Sequence, residues 1–250
     1  TGRPGPVLID LPKDILDAEA KFEYPETVDL PGYQPNYEGH PMQVKKVLQA
    51  ISNAKKPVII AGGGVITGNC ADLVVKFAEH ANIPVLTTFM GLGAIPYDHP
   101  LSVGWPGMHG NDASNMATLE ADYILAIGTR FSDRATGDVK RYAPNATIAQ
   151  IDIDPTSINK NIPVKIPIIG DAKVVLEQFH KYIKEFKAEK NADSREAWVK
   201  QIQAWNKESP FSYEYSDNII KPQYVIEQIH AVTNGDAIIT TEVGQHHMWT

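Results

Sequence analysis

The sequence lacks the marks of several large protein classes. It holds one cysteine, Cys70, which excludes an internal disulfide and fits a reducing compartment. No apolar run approaches the ~20 residues that a membrane-spanning helix needs. No charged-then-apolar segment opens the chain as a secretory signal would. Basic residues are not in surplus: 23 Lys and Arg stand against 30 Asp and Glu, a formal net charge of -7. With no basic stripe either, the balance argues against a nucleic-acid-binding surface. No Cys/His spacing suits zinc, and neither a G-x-S-x-G elbow nor a Walker A loop occurs. Repeats and low-complexity tracts are also absent. What remains is a chain of 250 residues, 43% hydrophobic, long enough for one large domain with appendages.

The order of elements points to an α/β fold. Val58-Ile59-Ile60-Ala61, Val85-Leu86-Thr87, Tyr123-Ile124-Leu125-Ala126-Ile127 and the stretch 147–151 read as buried strands. Ile166-Pro167-Ile168-Ile169 reads as a weaker strand, and Pro167 suggests an edge. Helices are expected over about 42–54, 70–81, 111–120 and 171–186, with Val44, Val47, Leu48 and Ile51 forming an apolar face on the first. This alternation predicts a parallel sheet with helices on both faces. The polar stretch 187–196 reads as a boundary, followed by a helix carrying Trp198, Ile202 and Trp205.

The two ends read differently. Val7-Leu8-Ile9-Asp10 predicts a short strand with no sheet nearby in sequence, and 22–41 is Pro- and Tyr-rich, like an extended linker. Pro222 opens an expected helix with Val225, Ile226 and Ile229, followed by an expected strand at Ala237-Ile238-Ile239-Thr240. The chain opens on Thr1 and closes on Thr250, so it reads as a fragment that begins and ends inside neighbouring domains.

In a parallel α/β sheet, ligands bind beyond the carboxyl ends of the strands. Four strand ends here carry glycine, Arg or Asp. Gly62-Gly63-Gly64 follows the first strand and suits either phosphate approach or a tight turn. Its spacing is not G-x-G-x-x-G, and the acidic residue of that fingerprint is missing. Thr87-Thr88-Phe89-Met90-Gly91 follows the second strand as a ligand loop or a connector. Gly107-Met108-His109-Gly110 suggests backbone packing against something flat. Gly128-Thr129-Arg130-Phe131-Ser132-Asp133-Arg134 suits anion recognition or a surface ion pair. Asp152 and Asp171 suit ribose hydroxyls or turn and helix caps. Together these ends fit an extended ligand with phosphates and ribose. His246-His247 are adjacent, which argues against a shared metal if they lie on a strand.

These motifs, in this order, resemble the acetolactate synthase (acetohydroxyacid synthase) family of thiamin-diphosphate-dependent enzymes. The resemblance rests on Gly2-Arg3-Pro4-Gly5-Pro6-Val7, the Gly62 loop, Met90-Gly91-Leu92-Gly93, Gly107-Met108-His109-Gly110, Arg130-Phe131-Ser132-Asp133-Arg134, Ile151-Asp152-Ile153-Asp154-Pro155 and Val243-Gly244-Gln245-His246-His247-Met248-Trp249. It implies three parts of a larger subunit. Residues 1–20 would end a thiamin pyrimidine-binding domain, with 21–41 as linker. Residues 42–186 would form a central FAD-binding domain, 187–221 a helix and connector, and 222–250 the start of a thiamin diphosphate-binding domain. FAD would contact Arg3, Gly62, Gly63, Gly64, Thr88, Phe89, Met90, Met108, His109, Gly110, Gly128, Arg130, Asp133, Arg134, Asp152, Ile153, Gly170 and Asp171. Val243, Gly244, Gln245 and His246 would approach thiamin diphosphate. Lys13, Met108 and Arg134 would lie near the substrate entrance. The activating glutamate and the Mg2+ site would lie outside this sequence. Ser132, His247 and Glu242 depart from the family pattern.

The activity so implied is decarboxylation of pyruvate on thiamin diphosphate and transfer of the two-carbon unit to a second 2-oxo acid, pyruvate or 2-oxobutanoate. The parent would be a cytoplasmic homodimer or tetramer with a regulatory small subunit, serving branched-chain amino-acid synthesis. The fragment alone is expected to be inactive. Two other readings stay open: an FAD-dependent oxidase or other carboligase of the same type, and a stand-alone nucleotide-binding module.

Overall fold

A computed structural model describes residues 2–27, 32–185 and 192–250. Its centre is one six-stranded, wholly parallel sheet. Between a short helix α1 (Lys13–Asp17) and the sheet lies α2 (Pro41–Asn53), with Pro41 in the first turn, where its missing N–H has no partner to lose. Then follow β1 (Pro57–Ala61), α3 (Gly63–Thr67), α4 (Ala71–Ala81), β2 (Val85–Thr87), β3 (Ser102–Gly104) and α5 (Asp112–Glu120). The second half runs β4 (Tyr123–Ile127), α6 (Asp133–Thr136), β5 (Thr147–Asp152), β6 (Ile166–Ile169), α7 (Ala172–Tyr182) and α8 (Ala192–Glu208). Two further helices, α9 (Pro222–Thr233) and α10 (Gln245–Trp249), end the chain.

The strand order is β3-β2-β1-β4-β5-β6. Dinucleotide-binding doubly wound folds share this order, and it reverses between β1 and β4. Side chains alternate across the strands, so each strand feeds two cores. Ile59, Leu125, Ile127 and Ile151 face α2, α4 and α7. Val58, Ile60, Ile124, Ala126 and Ile148 face α5 and α8, with Trp198 and Ile202 closing that side. Both faces are therefore covered, as the alternation predicts. Pro167 lies on the edge strand β6, opposite Gln150, as expected.

Four differences from expectation stand out. β3 joins the sheet without an apolar run, through the three residues Ser102–Gly104. Helix α3 forms directly after β1, inside the glycine segment. Helix α8 starts at Ala192, within the polar stretch, and Arg195 in it is fully buried. Its guanidinium donates to Ala81 O at 2.7 Å and Ile51 O at 2.6 Å, carbonyls at the carboxyl ends of α4 and α2. A cation there meets the negative ends of two helices. Finally, residues 7–10 and 237–240 are not strands: they are exposed, with Leu8 at 92% and Ile238 at 97% exposure. A strand needs a hydrogen-bonding neighbour, and neither segment pairs with the sheet. Phe186 lies outside the described residues; α7 ends at Tyr182 and a 3-10 turn continues to Glu185.

Candidate cofactor site at the strand ends

The carboxyl ends of β1, β4 and β6 are kept flush by a repeated device. The residue after each strand donates its N–H to the neighbouring strand. Gly62 N reaches Ile127 O at 2.8 Å, Gly128 N reaches Ile151 O at 2.8 Å and Gly170 N reaches Asp152 O at 3.0 Å. Each bond extends the parallel ladder by one rung. Gly64 N adds a bond to Gly128 O at 3.0 Å. The N–H groups of Gly62 and Gly64 are thus engaged by backbone. The need for glycine here is close approach: a Cβ on Gly64 would lie 2.6 Å from Gly128 Cα. Gly128 also has φ +59°, a region that side chains other than glycine enter with strain.

The Thr88–Gly91 turn folds onto this platform. Thr88 N donates to Ala61 O at 2.9 Å, and a Cβ on Gly63 would meet Met90 Cβ at 3.1 Å. Phe89 and Met90 stay exposed, Met90 at 74%. A second loop is pinned by Asn115, which accepts from Gly107 N at 2.7 Å and donates to Gly107 O at 3.1 Å. Trp105 Nε1 donates to His109 O at 2.8 Å, and Met108 N donates to Arg134 O at 3.2 Å. Met108, His109 and Gly110 are thereby brought beside Asp133 and Arg134, with Met108, His109, Asp133 and Arg134 exposed. Exposed Met90 and Met108 offer apolar surface at the same edge as the cations.

Charge gathers at the far end of β4 and β5. Arg3 lies 3.7 Å from Asp154, so the amino-terminal segment crosses to the β5 end. Arg130 is exposed. Asp152 is nearly buried and accepts from Asp154 N at 2.9 Å. Burial pushes its carboxyl above the ordinary value, opposed by that hydrogen bond and by Arg3. Asp154 instead holds a 3-10 turn, accepting from Thr156 N at 2.9 Å and Thr156 Oγ1 at 2.7 Å. Those bonds pull its carboxyl below the ordinary value. Asp171 caps α7, accepting from Lys173 N at 3.0 Å and Val174 N at 3.1 Å, so the cap role is realised there. Ile153 is partly exposed beside Asp152.

The terminal candidates divide. His247 in α10 packs its ring 4.5 Å from the Phe89 ring, which brings Gly244, Gln245 and His246 toward the β2 end; Val243 is exposed. The two adjacent histidines lie in a helical turn rather than on a strand. Lys13 opens α1 and is exposed, and no described contact ties it to the strand ends. Among the described residues, no group of three or more His, Cys, Asp or Glu is arranged for a metal, and no helix is long and apolar enough to cross a membrane. A concavity of about 600 Å3 lies elsewhere, between Asn69, Asp72, Lys173 and Glu177, and its lining is charged. The strand ends, with their convergent side chains, remain the candidate site.

The sequence reading did not single out Asn161, Gln150 or the strained Phe131. Phe131 has φ +53° while nearly fully buried. Its contacts with Asn161 span 30 residues, so no local signal could have shown them.

The family described as "thiamine pyrophosphate enzyme, central domain" matches residues 44–179 of this sequence, a span that covers the whole sheet. The chain belongs to that family. Similarity to curated relatives extends beyond residues 44–179. The chain is 45% identical over 251 residues to the acetolactate synthase large subunit of Haemophilus influenzae. It is 45% identical to the acetolactate synthase isozyme 3 large subunit of Escherichia coli and 47% identical to the acetolactate synthase large subunit of Buchnera aphidicola. Each alignment covers all of this chain and 44% of the relative, so the chain spans less than half the length of the curated relatives it matches.

Proposed function

We propose that this chain is the central part of an acetolactate synthase large subunit, which joins two 2-oxo acids with loss of CO2. The observation that carries the reading is identity of about 45% along the entire chain, including the segments outside 44–179. In this reading residues 1–20 and 222–250 belong to flanking thiamin-binding domains, 21–41 is a linker, 42–186 is the flavin domain and 187–221 connects. The exposed apolar residues near Leu8 and Ile238 support such neighbours.

FAD fits the strand ends chemically. Arg3, Arg130 and Arg134 offer guanidinium groups for phosphates. Asp152 offers a carboxylate for ribose hydroxyls. Met90, Phe89 and Met108 offer apolar surface. Gly62 to Gly64, Thr88, His109, Gly110, Gly128, Asp133, Ile153, Gly170 and Asp171 complete the proposed lining. The reaction joins two oxo acids with no net redox change, so FAD here has a structural role. Thiamin diphosphate supplies the carbanion chemistry when bound. Val243, Gly244, Gln245 and His246 would flank it, and Lys13, Met108 and Arg134 would lie near the substrate entrance. Mg2+ belongs to the whole protein in this proposal. So do self-association as a dimer or tetramer, a regulatory small subunit, cytoplasmic residence and 2-oxobutanoate as an alternative acceptor.

The test uses the full-length protein with thiamin diphosphate, Mg2+, FAD and pyruvate. The expected products are one acetolactate and one CO2 per two pyruvates, with no oxygen uptake. Oxygen consumption matching CO2 release would instead favour a flavin-dependent oxidase. Absence of both would overturn the reading.

A further inference from the structure

Three successive carbonyls at the end of β4 are held from behind by side-chain amides. Gln150 Nε2 donates to Thr129 O at 3.0 Å. Asn161 Nδ2 donates to Phe131 O at 2.8 Å and to Arg130 O at 3.3 Å. Gln150 also reaches Ser157 O at 3.4 Å, in the turn after β5. The turn after β4 is thus tied to β5 and to the connection that follows it.

Neither Gln150 nor Phe131 is an economical choice for stability. Gln150 sits in mid-strand opposite Ala126, fully buried, and among the described residues its Oε1 has no hydrogen-bond partner. A buried unpaired acceptor costs free energy that an apolar residue of similar shape would not. Phe131 holds a left-handed backbone, which a bulky side chain adopts only when its surroundings impose it. Its ring is fixed against Tyr142, 5.8 Å away. Two unfavourable features converge on one turn, and Arg130, the residue between Thr129 and Phe131, is exposed. Strain of this kind concentrates where a ligand is clamped.

We propose that Gln150 and Asn161 are positioning residues that fix the Thr129–Phe131 turn so that Arg130 meets an anionic group of the ligand, a phosphate in the flavin reading. They touch the turn, not the ligand. This inference rests on the flavin reading of the strand ends.

The experiment is a double-mutant cycle in the full-length protein, with FAD as the probe and Kd measured by flavin fluorescence at several salt concentrations. Asn161→Ala and Arg130→Gln are each expected to raise the Kd about tenfold. The double variant is expected to bind no more weakly than Arg130→Gln alone, because Asn161 acts through Arg130. Asn161→Ala is also expected to flatten the salt dependence as Arg130→Gln does. Gln150→Leu keeps the core filled, and removal of the unpaired Oε1 offsets the lost donor to Thr129 O and Ser157 O, so it is expected to weaken FAD with little change in the thermal midpoint. Losses that multiply in the double variant, or unchanged FAD binding in both Asn161→Ala and Gln150→Leu, would overturn this inference alone. A wild-type protein that binds no FAD would overturn the flavin reading and this inference with it.

Discussion

Strand β4 (Tyr123–Ile127) and residues 237–240 are both short and apolar, yet β4 is buried at every residue while Ile238 is 97% exposed. The difference lies in their neighbours. β4 pairs with β1 along all five of its residues and with β5 along the same five, and helices cover both its faces. Residues 237–240 have no strand beside them. An apolar run states a need for burial, and only a partner surface turns that need into a strand. The sheet unit and the exposed ends should therefore answer mutation in opposite ways.

The largest contrast is expected between Trp198 and Ile238. Trp198 is buried against the sheet and donates from Nε1 to Pro57 O at 3.1 Å. Trp198→Ala is expected to cost about 3–5 kcal/mol in urea unfolding, and Ile238→Ala under about 0.5 kcal/mol. Equal costs would break the comparison. Next comes Arg195→Met, which removes the charged donor from Ala81 O and from Ile51 O, the latter keeping the Ala54 N–H. Its expected cost is about 3 kcal/mol, because buried carbonyls lose charged hydrogen bonds. A variant as stable as the parent would show that the two helix ends find other donors.

A smaller effect separates two glycines. Gly64→Ala forces a Cβ against the backbone of Gly128 and is expected to cost about 1–3 kcal/mol. Gly5→Ala meets open space and is expected to be silent in the same melt. The smallest effect concerns pH. Burial, the main cause, holds the Asp152 carboxyl above its ordinary value in the folded chain. The folded state then favours the protonated form, and stability falls as pH rises from about 4 through the raised value. Asp152→Asn should flatten that fall in unfolding midpoints between about pH 4 and 7. A steeper fall in the variant would reverse the assigned sign.

The same contrast explains what the sequence could disclose. Buried parallel strands announce themselves as short isoleucine- and valine-rich runs, so β1, β4 and β5 were readable, and Pro167 correctly marked an edge. β3 was not, because Ser102–Gly104 carries one apolar side chain and gains its place from pairing with β2. Arg195 looked like part of a polar boundary because its burial comes from two helix ends more than 100 positions away. At the candidate site, glycine, Arg and Asp at strand ends were visible as residue types. Their division of labour was not: Asp171 caps a helix, Asp154 holds a turn, and Asp152 is left beside Arg3's partner with a desolvated carboxylate. Asn161 and Gln150 act across 21 to 31 residues, beyond any local pattern.

In the proposed reading, the β1–β4 and β4–β5 strand ends hold FAD. It is tested most directly by the flavin content of the full-length protein after incubation with FAD and removal of the excess. The expected result is a yellow protein with about one FAD per subunit, and loss of that absorbance when Arg130→Gln and Asp152→Asn are combined. A colourless wild-type protein, or a double variant that keeps its flavin, would contradict it.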